Sequence, residues 1–250
     1  MAAMHRRARP MTRWRAGLVL ALLAFAGSAL SASLQVAPTT LTLQDRQNAD
    51  GLWLSNSGNA PVQVQVRMFR WTQVGNEDVL EPTQDLVASP PMQTLPPGER
   101  QLVRVIRTQA RPLVEEASYR VIVDELPIGQ DAKPGLHFVL RYSIPIFVVP
   151  ESADPLVPDL QARLLTLDDG TAAIQVANSG TLHAQVADLG FAGADGKRET
   201  IVPGLVGYVL PGQTRQWPLG SPASRFRDGV FKARINSEAE ERSLPSATGR

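Results

Sequence analysis

A pair of turn motifs occurs twice in this chain, in the same order, and that duplication constrains the fold more than any other feature. Asn56-Ser57-Gly58 is followed by an alternating run at 62–66 and then by Leu95-Pro96-Pro97-Gly98-Glu99-Arg100-Gln101. Asn178-Ser179-Gly180 is followed by a similar run at 184–186 and then by Leu210-Pro211-Gly212-Gln213-Thr214-Arg215-Gln216. Either motif alone is ordinary turn chemistry. Their paired order says that one architecture is built twice. Short β-branched or alternating runs at 41–43, 52–55, 62–71, 101–106, 119–125 and 136–147 lie between Gly, Pro, Asn and Asp clusters, and none carries a helical apolar stripe. The expectation is an all-β chain of two immunoglobulin-like β-sandwich domains.

The chain opens with Arg6, Arg7, Arg9, Arg13 and Arg15, an apolar run at 16–26 and small residues at 27–33, the pattern of a secretory signal peptide. Residues 1–31 are assigned to it, with cleavage after Ser31, or after Ala29 as the alternative. The apolar run is shorter than the ~20 residues a spanning helix needs, so no stable membrane insertion is expected and the periplasm is the expected location. Pro150-Glu151-Ser152-Ala153-Asp154-Pro155 breaks the preceding strand and divides an N-terminal domain, 32–150, from a C-terminal one, 151–236. The polar end, 237–250, reads as a disordered tail. Loss of five leader arginines and no acid takes the formal charge from +1 to −4, which removes support for nucleic-acid binding. With no cysteine, disulfides, thiolate metal sites and thiol nucleophiles are excluded.

Little else suggests catalysis. Of three histidines, His5 leaves with the leader, and His137 and His183 fall in different domains without metal-ligand spacing. No glycine-rich phosphate loop occurs, and Asp169-Gly170, Asp195-Gly196 and Asp228-Gly229 read as hairpin turns. No catalytic residue, metal or cofactor is assigned, and the chain is read as a binding protein. Trp53, Phe69, Trp71 and Trp217 would stack sugars if exposed, but the sandwiches need such mass in their cores.

Two arginines stand in apolar strands, Arg120 beside Val121-Ile122-Val123 and Arg104 between Val103 and Val105. Each needs a partner, either a structural ion pair or a bound anion such as a peptide's C-terminal carboxylate. In the run from Leu136 to Tyr142, period-two geometry puts Leu136, Phe138, Leu140 and Tyr142 on one face and His137, Val139 and Arg141 on the other. A long apolar edge strand of that kind is an aggregation hazard or the working surface of a protein that adds a strand to its partner, and it would also support self-association.

Phe69-Arg70-Trp71-Thr72-Gln73, Ala88-Ser89-Pro90-Pro91, Leu95-Pro96-Pro97-Gly98 with Gln101-Leu102-Val103-Arg104, the run from Tyr119 to Pro127, and Leu140-Arg141-Tyr142-Ser143-Ile144-Pro145-Ile146-Phe147 together resemble the periplasmic chaperones of the chaperone–usher pilus pathway. The likeness is greatest to the archaic branch, whose clients include spore-coat-U-like subunits. It implies two sandwiches around a cleft, pilus subunits and an outer-membrane usher as partners, and a donor strand whose Leu136, Phe138 and Leu140 enter the subunit. Burying three such side chains at ~1.5–3 kcal/mol each would offset much of a pilin's missing core. Where many family members anchor the subunit carboxylate with Arg and Lys, this sequence has Thr40 and Pro145, so Arg120, then Arg104, are the expected anchors. Glu125 and Asp228 match acidic positions of the family's interdomain network, with Val149 in place of its basic partner. A structural pilin or adhesin and a secreted carbohydrate-binding or hydrolytic module are the alternative readings.

Overall fold

The structure, a computed structural model, describes residues 34–109, 112–127, 139–152 and 155–246. The first domain contains β1 (Leu34–Ala37), β2 (Leu41–Gln44), β3 (Ala49–Asn56), β4 (Val62–Val74), β5 (Glu77–Pro82), β6 (Leu86–Ser89), β7 (Met92–Leu95), β8 (Arg100–Arg107), β9 (Ala117–Leu126) and β10 (Arg141–Val149). One sheet runs β1-β3-β8-β6 and the facing sheet β2-β10-β9-β4-β5, with β7 on β4. Only β2 and β10 pair in parallel among these strands. Alternation dictates the layering: on β4, Val62, Val64, Val66 and Met68 are buried while Gln63, Gln65 and Arg67 face away. They meet Leu52, Leu54, Val103, Val105, Val121, Val123, Ile144 and Ile146 in one core.

The second domain follows with β11 (Leu160–Thr166), β12 (Thr171–Asn178), β13 (Ala184–Gly193), β14 (Arg198–Val209), β15 (Thr214–Pro222), a 3-10 turn at Ala223–Phe226, β16 (Gly229–Ile235) and β17 (Glu241–Ser243). Its sheets run β11-β12-β15 and β14-β13-β16-β17. Phe191, Phe226 and Phe231 meet edge to face or tilted in the core, with ring centroids 5.1–5.5 Å apart. Each domain is thus a β-sandwich of the expected immunoglobulin-like class, antiparallel apart from the β2–β10 pair. No helix of the described residues is long and apolar enough to cross a membrane.

The duplicated motifs are duplicated for a physical reason. Asn56, only 2% exposed, donates from Nδ2 to the carbonyls of Ala60 (2.8 Å) and Leu95 (3.0 Å), while its Oδ1 accepts the Gly58 N–H (2.9 Å). Asn178 does the same with Leu182 (2.7 Å), Val209 (3.1 Å) and Gly180 (3.0 Å). One buried amide therefore pins the Asn-Ser-Gly turn to the strand end that enters the Leu-Pro-Gly turn. The glycines of that second turn sit at φ +74° (Gly98) and +68° (Gly212), a region other residues enter at a cost.

Two expectations are corrected. Residues after Asn236 are not a free tail as far as Ser246: β17 pairs with β16, Leu244 is 3% exposed in the second core, and the Ala162 N–H donates to Pro245 O at 2.7 Å. One leucine buried under a short edge strand is enough to order the segment. Trp53 is not core either; it lies on the outer face of β3, 38% exposed, with the Arg100 guanidinium 4.0 Å from its ring centroid. Asn178→Ala should leave two buried carbonyls without a donor and lower the second domain's stability by about 2–4 kcal/mol, and Asn56→Ala should do the same to the first. Denaturant titration of each variant, followed through its own domain's transition, measures this; an unchanged midpoint would show the pin to be dispensable.

Candidate functional site: an open strand edge beside an interdomain cleft

β10 carries the site. On its inner face Ile144, Ile146 and Val148 fill the first core, and Leu140 and Tyr142 pack half-buried against that core's end. The Tyr142 hydroxyl donates to Leu34 O at 2.5 Å, and burial, then the charge of Glu125, pushes its phenol ionisation up. Along its length β10 pairs with β9, but β2 covers its other side only from Ile146 to Val149. The cause is topological: the chain leaves β1 in one sheet and enters β2 in the other at Leu41, too late to cover the beginning of β10. From 141 to 145 the strand has a ladder partner on one side only, among the described residues. Leu136, Phe138 and His137 lie outside the described residues. Among the described residues the strand runs from Arg141, and the Glu125 N–H donates to Leu140 O (2.9 Å), which extends the β9 pairing by one residue.

The outer face of the same sheet looks toward the second domain. Across β4, β9 and β10 the register sets out rows: Phe69, Arg120 and Pro145 in one, with Asp124 and Arg141 paired further along. Pro145 is Arg120's cross-strand neighbour, and Thr40 immediately precedes the residue paired to Ile146. The two uncharged positions and Arg120 therefore share one row. Arg120 lies half-buried at the cleft, its Nη1 donating to Ser143 O at 3.3 Å and its guanidinium 3.8 Å from the Trp71 ring centroid. Arg104, the second anchor candidate, is exposed on the outer face of β8, in the sheet that does not face the cleft, and is removed from the site.

Trp71, Phe147, Tyr208 and Leu210 form a third buried cluster where the domains meet. Gln73, 4% exposed, donates to Tyr208 O at 2.9 Å and accepts the Leu210 N–H at 3.0 Å, so its amide imitates a strand pairing with β14. Nearby, His183 stacks on Phe147 with centroids 3.5 Å apart, and its Nδ1 lies 2.9 Å from the Glu116 carboxylate. Arg215, on β15, donates to the Asn76 carbonyl in the β4–β5 turn and also lies 3.7 Å from Asp78. The expected interdomain acids are elsewhere. Glu125 accepts the Leu140 N–H at 3.2 Å and so supports the start of the open strand. Asp228 is exposed in the turn before β16, with no partner in the first domain among the described residues. Sequence reasoning missed Gln73, Glu116 and Tyr208 as contact residues.

Two sandwiches, a strand edge at 141–145 paired on one side among the described residues, and a cation at the adjoining cleft define the architecture of the candidate site. Residues 33–154 match the family model for the N-terminal domain of pili and flagellar-assembly chaperones of the PapD type. No curated protein sequence gives a significant match. Among solved structures, a chain of the CsuC–CsuE chaperone–tip subunit pre-assembly complex, from archaic chaperone-usher Csu pili of Acinetobacter baumannii, superposes with a TM-score of 0.71 at 24% identity over 87% of this chain and 100% of that one. The CupB2 chaperone of Pseudomonas aeruginosa gives 0.56 at 18% identity over 84% and 97%. A chain of the Salmonella enterica complex of SafA pilin with the SafB chaperone gives 0.59 at 16% over 86% and 97%.

Asp124 stands at the start of the open strand. Burial works against its ionised form, but hydrogen bonds and charge from Arg141 and Arg67, the latter at 2.7 Å, outweigh it and hold the carboxyl below the usual range. A depressed folded-state value means the stabilisation is complete above the unfolded carboxyl's pKa of about 3.9 and is lost as pH falls through the folded value. Urea titrations from pH 7 to 2.5 should show wild type exceeding Asp124→Asn at neutral pH, with the gap closing below about pH 4. A gap independent of pH would mean the pair does not act through charge.

Proposed function

We propose that this chain is a periplasmic chaperone that lends the open edge of β10 to pilus subunits and delivers them to an outer-membrane usher. The observation that carries the reading is the stretch 141–145, paired on one side only among the described residues, with Leu140 just before it and Tyr142 within it. A subunit sandwich short of one strand exposes an apolar groove and unpaired backbone groups, and a donated strand supplies both ladder and side chains. Leu136, Phe138 and Leu140 are the side chains proposed to enter the groove, with Tyr142 fixing the strand's root. The free energy comes from completing the subunit's fold, so neither nucleotide nor cofactor is required and no catalysis is assigned. Complexes of the CsuC and SafB chaperones with their subunits support the reading, and likeness to the Csu chain favours clients of the archaic, spore-coat-U-like type. Trp71 is buried in the interdomain cluster, so it offers no exposed ring to the carbohydrate-binding alternative.

Leu140→Asp and Phe138→Asp should abolish co-purification of the subunit while leaving the chaperone folded, with an unfolding free energy within about 1 kcal/mol of wild type. A folded variant that still captures subunit would sink the donor assignment. Arg120 is the proposed carboxylate anchor: Arg120→Ala should weaken binding of a subunit with a free C-terminus by ~1.5–3 kcal/mol and cost much less when that terminus is amidated. The same edge is expected to let the free chaperone self-associate at high concentration. In sedimentation, subunit or Leu140→Lys should dissolve such oligomers; oligomers that persist with both must use another surface.

A further inference from the structure

Arg120 is held as few surface arginines are. Its guanidinium carbon lies 3.8 Å from the Trp71 ring centroid and 5.3 Å from that of Tyr208, and the two rings meet edge to face, 5.3 Å apart at 78°. Trp71 comes from β4 of the first domain and Tyr208 from β14 of the second. The guanidinium thus sits in an aromatic corner made by both domains. Burial pushes its ionisation below the ordinary range, with Tyr208 and Asp78 acting the other way, yet a guanidinium stays charged. Among the described residues its hydrogen-bond acceptor is the Ser143 carbonyl, and no carboxylate comes within ion-pairing distance. A cation desolvated without an anion is costly unless something else stabilises it, and ring faces at these distances do so.

Stacking also decides which part of the group remains available. A ring engages the flat face of a guanidinium, whereas its five N–H bonds lie in the plane, and among the described residues one of them has a partner. The free edge is the part that pairs bidentately with a carboxylate. Tyr208 is itself fixed, because its carbonyl accepts from Gln73 at 2.9 Å and its hydroxyl accepts from Gln185 Nε2 at 2.8 Å.

We propose that Trp71 and Tyr208 are positioning residues for carboxylate capture: they hold the Arg120 plane so that its in-plane N–H edge meets a peptide's terminal carboxylate, and the site is complete only while the second domain is docked. The inference rests on Arg120 being the anchor. It gives the second domain a part in subunit recognition although the lent strand belongs to the first.

The test compares one subunit, with a free or an amidated C-terminus, against a set of variants by titration. Tyr208→Leu should weaken binding of the free-ended subunit about fivefold to thirtyfold and leave the amidated one unchanged, while Tyr208→Phe, which keeps the ring, should bind both as wild type does. In an Arg120→Ala background, Tyr208→Leu should have no further effect on the free-ended form. Arg120→Lys leaves Tyr208 untouched, retains charge and lacks the planar fork, so it should lose most of the preference for the free end even if Tyr208→Leu fails to fold. Equal losses for both ligands in Tyr208→Leu, or full preference in Arg120→Lys, would overturn the clamp while leaving the anchor. An Arg120→Ala protein that treats the two ligands as wild type does would instead remove the anchor and the clamp together.

Discussion

The seam between the two sandwiches is the constraint on which the rest depends. Sheets of this kind usually leave one face wet, and β4 does so for its first half, where Gln63, Gln65 and Arg67 meet solvent. At Trp71 and Gln73 the same face becomes buried, because β14 lies on it. Gln73 makes that contact specific: an apolar cluster alone would let the domains slide, whereas a buried amide bonded to both a carbonyl and an N–H of one strand fixes a register. The angle between the domains, and hence the cleft, follows from that register.

β10 is used on three sides. Its inner face finishes the first core through Ile144, Ile146 and Val148, and its outer face presents Phe147 to the seam. Among the described residues its lateral edge stays open at one end because β2 joins late. A strand gripped on two faces keeps its conformation even though part of its ladder is unfilled, which reduces the ordering cost a partner would otherwise meet.

Much of this was legible in the sequence because it is encoded locally. The repeated Asn-Ser-Gly and Leu-Pro-Gly turns report a buried asparagine and a left-handed glycine, both of which narrow the residues allowed. The parity of β4 contained a further signal: Trp71 falls on the face of Gln63, Gln65 and Arg67, so a large aromatic there marks where the wet face is covered. Gln73 had no comparable signature, since its partner lies 135 residues away and an exposed glutamine looks the same. Glu125 and Asp228 were assigned by position in a resemblance, and position did not carry the contact across: the seam here uses Glu116 with His183 instead. Leu244 was missed because one apolar residue in a polar stretch has no period.

The parallel pairing of β2 with β10 also sets a measure of length. A strand laid against the open side of β10 must stop where Leu41 already faces Ile146, since two chains cannot occupy one ladder position. Arg120 stands opposite Pro145, one residue short of that stop. At about 3.3 Å per residue, the distance from this end to any side chain further along the edge is fixed in steps of the strand repeat. An arriving chain would therefore be indexed from its end, and a sequence one residue longer or shorter would turn every side chain to the opposite face.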